Sequence, residues 1–287
     1  MNLVEIRREY HRNIFAGIIR ITHDPKKKND YPNFADSGNR ASIGIAWGIV
    51  ELLGHEIALE PIKGQTSGGR FEVITRNFLE NSFELLQHIR PGNWNYSIEL
   101  PISHFSQYEH LAYLEKTIKD NKELASSLGG DYIIKPDILI SREAISDEEI
   151  NLKNVLVKEK DEMATLTPFR KINRPYPCPI LHASISCKWT LRSDRGQNAR
   201  TEALNLIRNR KGNLPHIMAV TAEPLPTRLA SLALGTGDLD CVYHFALPEL
   251  QKAILKIDNE DQLDMLNMLV DGRRLRDISD LPFDLAV

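Results

Sequence analysis

Two carboxylates and one lysine are the residues of this chain best suited to carry out chemistry. Asp137 lies in an apolar run at residues 133–140, and Glu202 lies in a segment with helical spacing. Between them, Lys188 stands in a segment that alternates apolar and polar residues. Carboxylate oxygens are ligands that Mg²⁺ prefers, and a lysine can assist the attacking water. Such a set is typical of Mg²⁺-dependent cleavage of a phosphodiester.

The alternation over residues 181–190 predicts a β-strand with two different faces. Side chains of a strand point to opposite sides in turn, so the apolar residues face the core and Lys188 faces the other way, together with Ser186. A buried lysine or aspartate without a partner is unfavourable. One shared polar site satisfies both, with Asp137 holding a metal ion and Lys188 near the reactive water. The alternative is that Lys188 is a solvent-facing strand residue and Asp137 a turn residue after Pro136.

Two glutamates each have two interpretations. Glu202 lies near the start of a helix predicted at residues 198–209, where the helix dipole favours a carboxylate in any case. Its other interpretation is that Glu202 supplies the second metal-binding carboxylate. Glu72 has the same two interpretations, because it stands at the start of a long predicted helix, after a glycine-rich break at residues 62–70.

Three charged residues, Arg192, Asp194 and Arg195, directly follow the predicted strand. An arginine can contact a guanine edge through two hydrogen bonds, and an aspartate can accept one from N4 of cytosine. These residues therefore suggest that the phosphodiester belongs to DNA. The alternative is a solvated cluster of mutually paired charges.

Composition limits the class of protein. With 287 residues, 42% of them hydrophobic, the chain is long enough to bury a sizeable core. A net charge of −3 excludes a wholesale basic nucleic-acid binder but leaves room for a local basic cleft. No apolar run approaches the ~18 residues of a membrane span, and the N-terminus is too charged for a signal peptide. Three cysteines without metal-type spacing predict reduced thiols and a cytoplasmic protein.

Hydrophobic periodicity predicts one α/β domain over residues 1–287, with helices flanking a central sheet. Helical patterns dominate its N-terminal part, about residues 1–130, apart from a loop at 23–39, and the catalytic core is expected in about residues 131–250. Strands are predicted at residues 132–140, 181–190, 217–221 and 241–245. Later helices are predicted at residues 198–209, 225–232, 247–257 and 260–270.

Several motifs match a known family of nucleases. They are residues 64–68 (GQTSG), 87–92 (QHIRPG), 136–138 (PDI), 181–200, 208–212 (RNRKG), 233–237 (ALGTG) and 277–282 (DISDLP). From about residue 8 to Val287 the chain resembles the NgoMIV-type restriction endonucleases of the PD-(D/E)xK superfamily. These are homotetrameric type II enzymes that cut palindromes built on a CCGG core.

The resemblance implies a restriction-endonuclease-like fold with a central mixed β-sheet and a site that uses Mg²⁺ as cofactor. Asp137, Lys188 and Glu202 would be the main catalytic and metal-binding residues. Glu72 would be an auxiliary metal-binding acid, and Ser186 stands where many relatives in the wider superfamily carry an acid.

The resemblance also implies a DNA target. Arg192, Asp194 and Arg195 would recognise the CCGG core in the major groove, and Asp36 and Gln65 match positions used around the outer base pair. The target would be GCCGGC, cut after the first G.

Assembly follows from the same resemblance. A palindrome calls for a two-fold dimer, because each half-site needs an identical protein surface. The resemblance to the family implies that two such dimers associate, so that a homotetramer would bind two double-stranded DNA sites at once. Subunit contacts are expected in the helical first half and in residues 263–287.

Two other classes of protein stay open. A sequence-specific DNA-binding protein that does not cut would keep Arg192 and Arg195 while losing its acids. The joint presence of Asp137, Lys188 and Glu202 argues against that class. A structure-selective repair nuclease would use the same catalytic core at sites independent of sequence.

Overall fold

The chain forms a mixed β-sheet with helices beside it. The computed structural model describes residues 2–25, 29–58, 62–121, 123, 134–172, 178–191, 193–235 and 237–287, with the backbone alone at residues 24, 119 and 193–195. The strands are β1 (Ile21–Asp24), β2 (Asn29–Pro32), β3 (Trp94–Ile98), β4 (Ile138–Arg142), β5 (Ile180–Lys188), β6 (His216–Thr221), β7 (Cys241–His244) and β8 (Leu275–Asp277). The helices are α1 (Leu3–Gly17), α2 (Arg40–Leu53), α3 (Gly64–Glu84), α4 (Leu111–Asp120), α5 (Asp147–Ile150), α6 (Ser193–Asn209), α7 (Pro226–Ala233), α8 (Leu247–Ile257), α9 (Glu260–Asp271) and α10 (Leu281–Asp284).

Strands β3 to β8 form one six-stranded sheet, in which neighbours follow the order of the sequence. β3 pairs antiparallel with β4, whereas β7 pairs parallel with β6 and β8. Helices α7, α8 and α9 occupy the crossovers that parallel neighbours require. This architecture confirms the predicted α/β class, with a central mixed sheet flanked by helices. β1 and β2 form a separate antiparallel pair.

The chain divides into two compact units. The first comprises Met1–Arg90, Ile185–Ala203 and Ile217–Val287, and the second comprises Pro91–Ser184 and Leu204–His216. Each unit is assembled from separate pieces of sequence. A single domain over residues 1–287, with a helical part and a catalytic core that meet near residue 130, stays a prediction. Among the described residues, no helix is long and apolar enough to cross a membrane.

In the first unit, two helices approach each other at a glycine. α2 packs on α8, and a Cβ added at Gly48 would lie 2.7 Å from the Cβ of Ala253. The side chain of Asn39 caps the start of α2 by accepting a hydrogen bond from the Ser42 N–H at 3.0 Å. Gly54, with φ of 64°, ends the helix in the left-handed conformation that glycine adopts without strain.

In the second unit, side chains satisfy backbone groups near the start of β5. Gln107 donates to the Leu181 carbonyl at 2.7 Å and accepts from the Leu181 N–H at 2.9 Å. Tyr108 donates to the carbonyl of Leu206, on α6, at 2.9 Å. Buried backbone groups need such partners, so these contacts hold the loop at Gln107 and Tyr108 against β5 and α6.

The glycine-rich break predicted at residues 62–70 is wrong, because α3 begins at Gly64. Buried Ser67 and Phe71 supply packing on this first part of the helix, and that packing outweighs the poor helix propensity of glycine. Elsewhere helical periodicity is a good guide. α8 spans the predicted residues 247–257, and α9 begins where predicted and ends one residue later.

The strand predictions hold best where apolar residues are dense. β5, β6 and β7 agree with prediction, and β4 begins at Ile138, inside the predicted strand whose residues 132 and 133 lie outside the described ones. β1 and β2 lie within or beside the predicted loop at residues 23–39, and β3 and β8 have no counterpart in the prediction. These strands have three to five residues, too few to show a clear alternation.

The contact at Gly48 predicts a stability difference between two glycine-to-alanine variants. Gly48→Ala forces α2 away from α8, and overpacking of this kind costs about 1–3 kcal/mol. Gly69→Ala is the matched control, because nothing lies within 4 Å of an added Cβ, and replacing a helical glycine by alanine stabilises by about 0.5–1 kcal/mol. Urea unfolding should show a lower free energy of unfolding for Gly48→Ala and a slightly higher one for Gly69→Ala. Equal stability of the two variants would contradict the close approach.

Candidate active site

Three predicted site residues line one cleft in the first unit. The cleft has a volume of about 490 Å³ and lies where the end of β5 meets the first halves of α3 and α6. We call it the β5–α3 cleft. Its lining residues are Thr22, Asn33, Ile62, Gly64, Gln65, Ser67, Gly68, Glu72, Cys187, Lys188, Trp189, Thr190 and Asn198. The structure therefore brings Lys188, Glu72 and Gln65 to one place.

Lys188 lines this cleft together with its two neighbours, Cys187 and Trp189. Both neighbours are buried whereas Lys188 is half-buried, as strand alternation predicts. Trp189 packs its ring 5.2 Å from that of Phe71 on α3 and 5.5 Å from that of Phe34, measured between ring centroids. The predicted alternation is thus confirmed at the end of β5.

Ser186 lies two residues before Lys188, on the same side of β5 by alternation. It is only 4% exposed. Ser184, two residues earlier still, is also buried, so both faces of β5 are covered here. Lys188, the last residue of the strand, is half-buried, as are Ile180 and His182 near its start.

Glu72 does not stand at the start of its helix, so that prediction is wrong. α3 begins at Gly64, which places Glu72 more than two turns inside the helix. The helix dipole acts within the first turn, and it therefore gives no account of this carboxylate. Gln65, Gly68 and Glu72 are spaced three and four residues apart and share one helical face, which is the face that lines the cleft.

Glu202 also lies further along its helix than predicted. α6 begins at Ser193, so Glu202 is in mid-helix and half-buried, and the prediction that it lies near the N-terminal end is wrong. The predicted inward residues Ala199, Ala203 and Leu206 are buried. Glu202 follows Asn198, which lines the β5–α3 cleft, by one helical turn, and residues four apart lie on the same side of a helix.

The other predicted residues divide between the two units and the undescribed positions. Asp137 is half-buried directly before β4, in the second unit, and its proximity to Lys188 stays a prediction. Arg192 lies outside the described residues. Asp194 and Arg195 stand in the first turn of α6, where the structure describes their backbone alone. In the described part of the chain, no group of three or more His, Cys, Asp or Glu side chains could hold a metal ion.

Asp36 is held in place by its own loop and by an arginine that the sequence prediction missed. One carboxylate oxygen accepts from the Gly38 N–H at 2.9 Å, and the other contacts the guanidinium of Arg228. The backbone N–H of Asp36 donates to the hydroxyl of buried Ser42 at 2.8 Å. The carboxylate is therefore fixed before any ligand arrives.

Arg228 leads to a second residue that the prediction missed, Glu223. A guanidinium nitrogen of Arg228 lies 3.9 Å from Oε1 of Glu223. The Glu223 carboxylate is 1% exposed and accepts hydrogen bonds from the N–H groups of Leu191 at 2.9 Å and Leu225 at 3.2 Å. Burial raises its pKa to about 7. A glutamate two residues after the predicted strand at residues 217–221 was the available signal.

Comparison with known proteins gives matches along nearly the whole chain. The model of a family described as NgoMIV restriction enzyme matches residues 10–287. The type II restriction enzyme NgoMIV of Neisseria gonorrhoeae is 50% identical over 286 residues, which cover 98% of this chain and 97% of that enzyme. A crystal structure of the type IIF restriction endonuclease Bse634I with cognate DNA matches 86% of this chain and 99% of its own, at 16% identity and a TM-score of 0.35. This last likeness is too low to support an argument about the site.

The open wall of the cleft predicts a difference between two neighbouring glycine variants. Nothing lies within 4 Å of a Cβ added at Gly68, which lines the cleft, or at Gly69, which does not. Both Gly68→Leu and Gly69→Leu should raise the stability of α3, by about 0.5–1 kcal/mol. Only Gly68→Leu should slow the labelling of Lys188 by an amine reagent, as measured by peptide mass spectrometry. Equal labelling in both variants would show that Gly68 does not border the space around Lys188.

Proposed function

This chain belongs to the NgoMIV restriction enzyme family, and from that premise we propose that it cuts double-stranded DNA at GCCGGC, after the first G, with Mg²⁺ as cofactor. It is a type II restriction enzyme and hence a site-specific deoxyribonuclease. The observation that carries the finer proposal is the joint presence of Lys188, Glu72 and Gln65 in the β5–α3 cleft. One cleft then holds a group for the phosphate, a carboxylate for the metal and a residue for a base.

The donor set suits Mg²⁺. Asp137, Glu202 and Glu72 offer carboxylate oxygens, and Mg²⁺ is ordinarily held by one or two carboxylates while it keeps several waters. When bound, the ion supplies positive charge that polarises the scissile phosphate and stabilises the departing 3′ oxygen. We propose Asp137 and Glu202 as its main ligands and Glu72 as an auxiliary one.

Lys188 acts on the same phosphate. Its ammonium group can donate hydrogen bonds to a non-bridging phosphate oxygen and to the attacking water, and it offsets the negative charge that develops on phosphorus. Cys187 and Trp189 are buried on the other side of the strand, so the backbone at Lys188 has little freedom. Ser186, buried behind it, has the lesser role of a hydrogen-bonding partner within the site. No covalent enzyme intermediate is required.

Recognition of the bases falls to residues around the cleft. We propose that Arg192 and Arg195 contact guanines and Asp194 a cytosine of the CCGG core. Asp36 and Gln65 are assigned to the outer base pair. The hydrogen bond from Gly38 and the contact with Arg228 support the assignment of Asp36, because a carboxylate that is already oriented loses little entropy on binding.

A tetramer is supported by an apolar surface in the second unit. Between α5 and β5, large apolar side chains stand in solvent, with Leu152 81% and Leu166 89% exposed. Leu156 and Met163 in the same segment are exposed as well. Apolar residues gathered in this way mark contact sites. We propose that a second copy of the chain covers this segment, in addition to the contacts expected in the helical first half and in residues 263–287.

The cysteine content supports a reducing compartment. The chain has three cysteines, an odd number without metal-type spacing. We therefore propose that the enzyme acts in the cytoplasm, where thiols stay reduced.

The first test of function separates chemistry from binding. Asp137→Ala and Lys188→Ala should abolish DNA cleavage in Mg²⁺ while leaving specific binding in Ca²⁺ detectable, because neither residue is assigned to a base. Lys252→Ala, at an exposed position on α8, is the matched control and should cut at the wild-type rate. Gel electrophoresis of a plasmid digest and sequencing of the cut ends measure cleavage. A gel-shift measurement with the same DNA in Ca²⁺ measures binding. Wild-type cutting by Asp137→Ala or Lys188→Ala would overturn the catalytic assignment.

The same digest separates the other classes of protein. Binding of the palindrome without any cutting would favour a non-cleaving DNA-binding protein. Cut ends that share no sequence would favour a structure-selective repair nuclease. A unique end other than G followed by CCGGC would correct the proposed target.

The apolar segment predicts how assembly affects cutting. A Leu152→Glu, Leu166→Glu double variant should sediment as a dimer, because two charges cannot be buried in the contact without a large cost. It should also lose any preference for a plasmid with two sites over one with a single site, since DNA looping helps only a protein that binds two sites. Leu255→Glu, at an equally apolar but separate position that is 62% exposed, is the control and should keep both properties. A double variant that sediments like the wild type would contradict this contact.

A further inference from the structure

We propose that Glu223 is a positioning residue that holds Leu191 and Asp36 in one fixed relation. Leu191 directly precedes residues 192–195, assigned to the CCGG core, and Asp36 is assigned to the outer base pair. The inference rests on the proposed function, because it takes those assignments as given. Glu223 itself is buried and contacts no base.

One carboxylate oxygen of Glu223 fixes the chain where it leaves β5. Oε2 accepts a hydrogen bond from the Leu191 N–H at 2.9 Å, and Leu191 is buried. Arg192 is the next residue in the sequence, and α6 begins at Ser193. The backbone is therefore anchored at Leu191, two positions before the first residue of α6.

The other carboxylate oxygen of Glu223 is connected through Arg228 to Asp36, the residue assigned to the outer base pair. Oε1 accepts from the Leu225 N–H at 3.2 Å, immediately before α7, and lies 3.9 Å from a guanidinium nitrogen of Arg228 in that helix. Another nitrogen of Arg228 contacts Asp36. Leu191, Glu223, Arg228 and Asp36 therefore form one continuous chain of polar contacts.

The charge of Glu223 changes near neutral pH. Burial raises its pKa to about 7, while the hydrogen bond from Leu191 and the charge of Arg228 lower it and the charge of Asp36 raises it further. His244 interacts with the backbone of Glu223, and burial lowers the pKa of that histidine to about 4, so it stays neutral in this range. Above neutrality the carboxylate accepts both N–H groups and attracts Arg228. Below it, one oxygen carries a proton and that attraction weakens.

Protonation affects folding and recognition in opposite directions. A carboxyl group whose pKa is higher in the folded chain than its ordinary value of 4.5 binds an extra proton when folded. The contribution of the Glu223 carboxyl to the free energy of unfolding is therefore fully present below pH 4.5 and is lost as the pH rises through about 7. The anchoring of Leu191 and Arg228 strengthens over the same rise. A fall in recognition at low pH thus cannot come from unfolding through this group.

The experiment compares cleavage of the cognate duplex with that of a duplex altered at the outer base pair. The ratio of the two kcat/KM values cancels pH effects common to both substrates. In the wild type this ratio should rise several-fold, and by at most about tenfold, between about pH 6 and about pH 8, because the ionised fraction of one carboxyl with a pKa of about 7 rises by about that factor. In Glu223→Gln the ratio should be independent of pH and close to the wild-type value at the acid end. A Glu223→Gln variant that keeps the wild-type ratio at every pH overturns the inference.

Two further variants separate positioning from loss of structure. Glu249→Gln removes another carboxylate of the first unit, a half-buried one that pairs with Arg7 at 2.7 Å, and should leave the ratio unchanged. Asp36→Asn combined with Glu223→Gln should lose no more discrimination than the worse single variant, because both act through one chain of contacts. Additive losses would overturn the proposed link. If Glu223→Gln fails to fold, a pH-independent ratio in the wild type overturns the inference by itself.

Failure of the proposed function has a different signature. The cleavage map of the wild type establishes the cognate palindrome first, so a different outer base pair changes the duplexes and leaves the test intact. Absence of any cutting by the wild type would overturn the proposed function and this inference together.

Discussion

The burial of Trp189 is the interaction on which the rest of the site depends. Its indole packs against Phe34, Phe71 and Phe245 with ring centroids 5.2–5.9 Å apart, within the range of favourable aromatic pairs. With Trp189 turned inward, strand alternation turns Lys188 toward the cleft. Phe71 belongs to α3, so the same cluster sets the rotation of that helix and directs Glu72 into the same space. One aromatic cluster thus orients a cation and a carboxylate that lie far apart in the sequence.

Chemistry and recognition are separated by only a few residues along the chain. Lys188 ends β5, and Leu191, held by Glu223, leads into the segment proposed to contact the bases. Leu191 is three residues after Lys188, so a shift of the backbone at Leu191 also changes the position of Lys188. In the proposed mechanism, contact with the bases and the position of Lys188 therefore depend on the same short stretch of backbone. A stiff connection of this kind suits an enzyme that must not cut a nearly correct site.

Local patterns predicted the elements whose own residues determine them, and they failed where distant contacts decide. The alternation at residues 181–190 predicted β5 and the outward face of Lys188, and helical spacing predicted α8. The start of α3 was mispredicted because Phe71 is stabilised by Trp189, more than a hundred residues later. Glu223 was missed because its partners, Leu191 and Arg228, are not encoded by any spacing around it. The roles of Asp137 and Arg192 rest on the family resemblance alone.

Each compact unit is built from separate pieces of the sequence, and this limits how the protein can be truncated. The chain passes between them within β5, between Ser184 and Ile185, and again within α6, between Ala203 and Leu204. No single truncation or proteolytic cut therefore leaves the first unit, which holds the β5–α3 cleft, whole. Anyone who wishes to keep the DNA specificity for a sensor or a fusion, without the nuclease, must inactivate side chains in the full-length chain instead of trimming it.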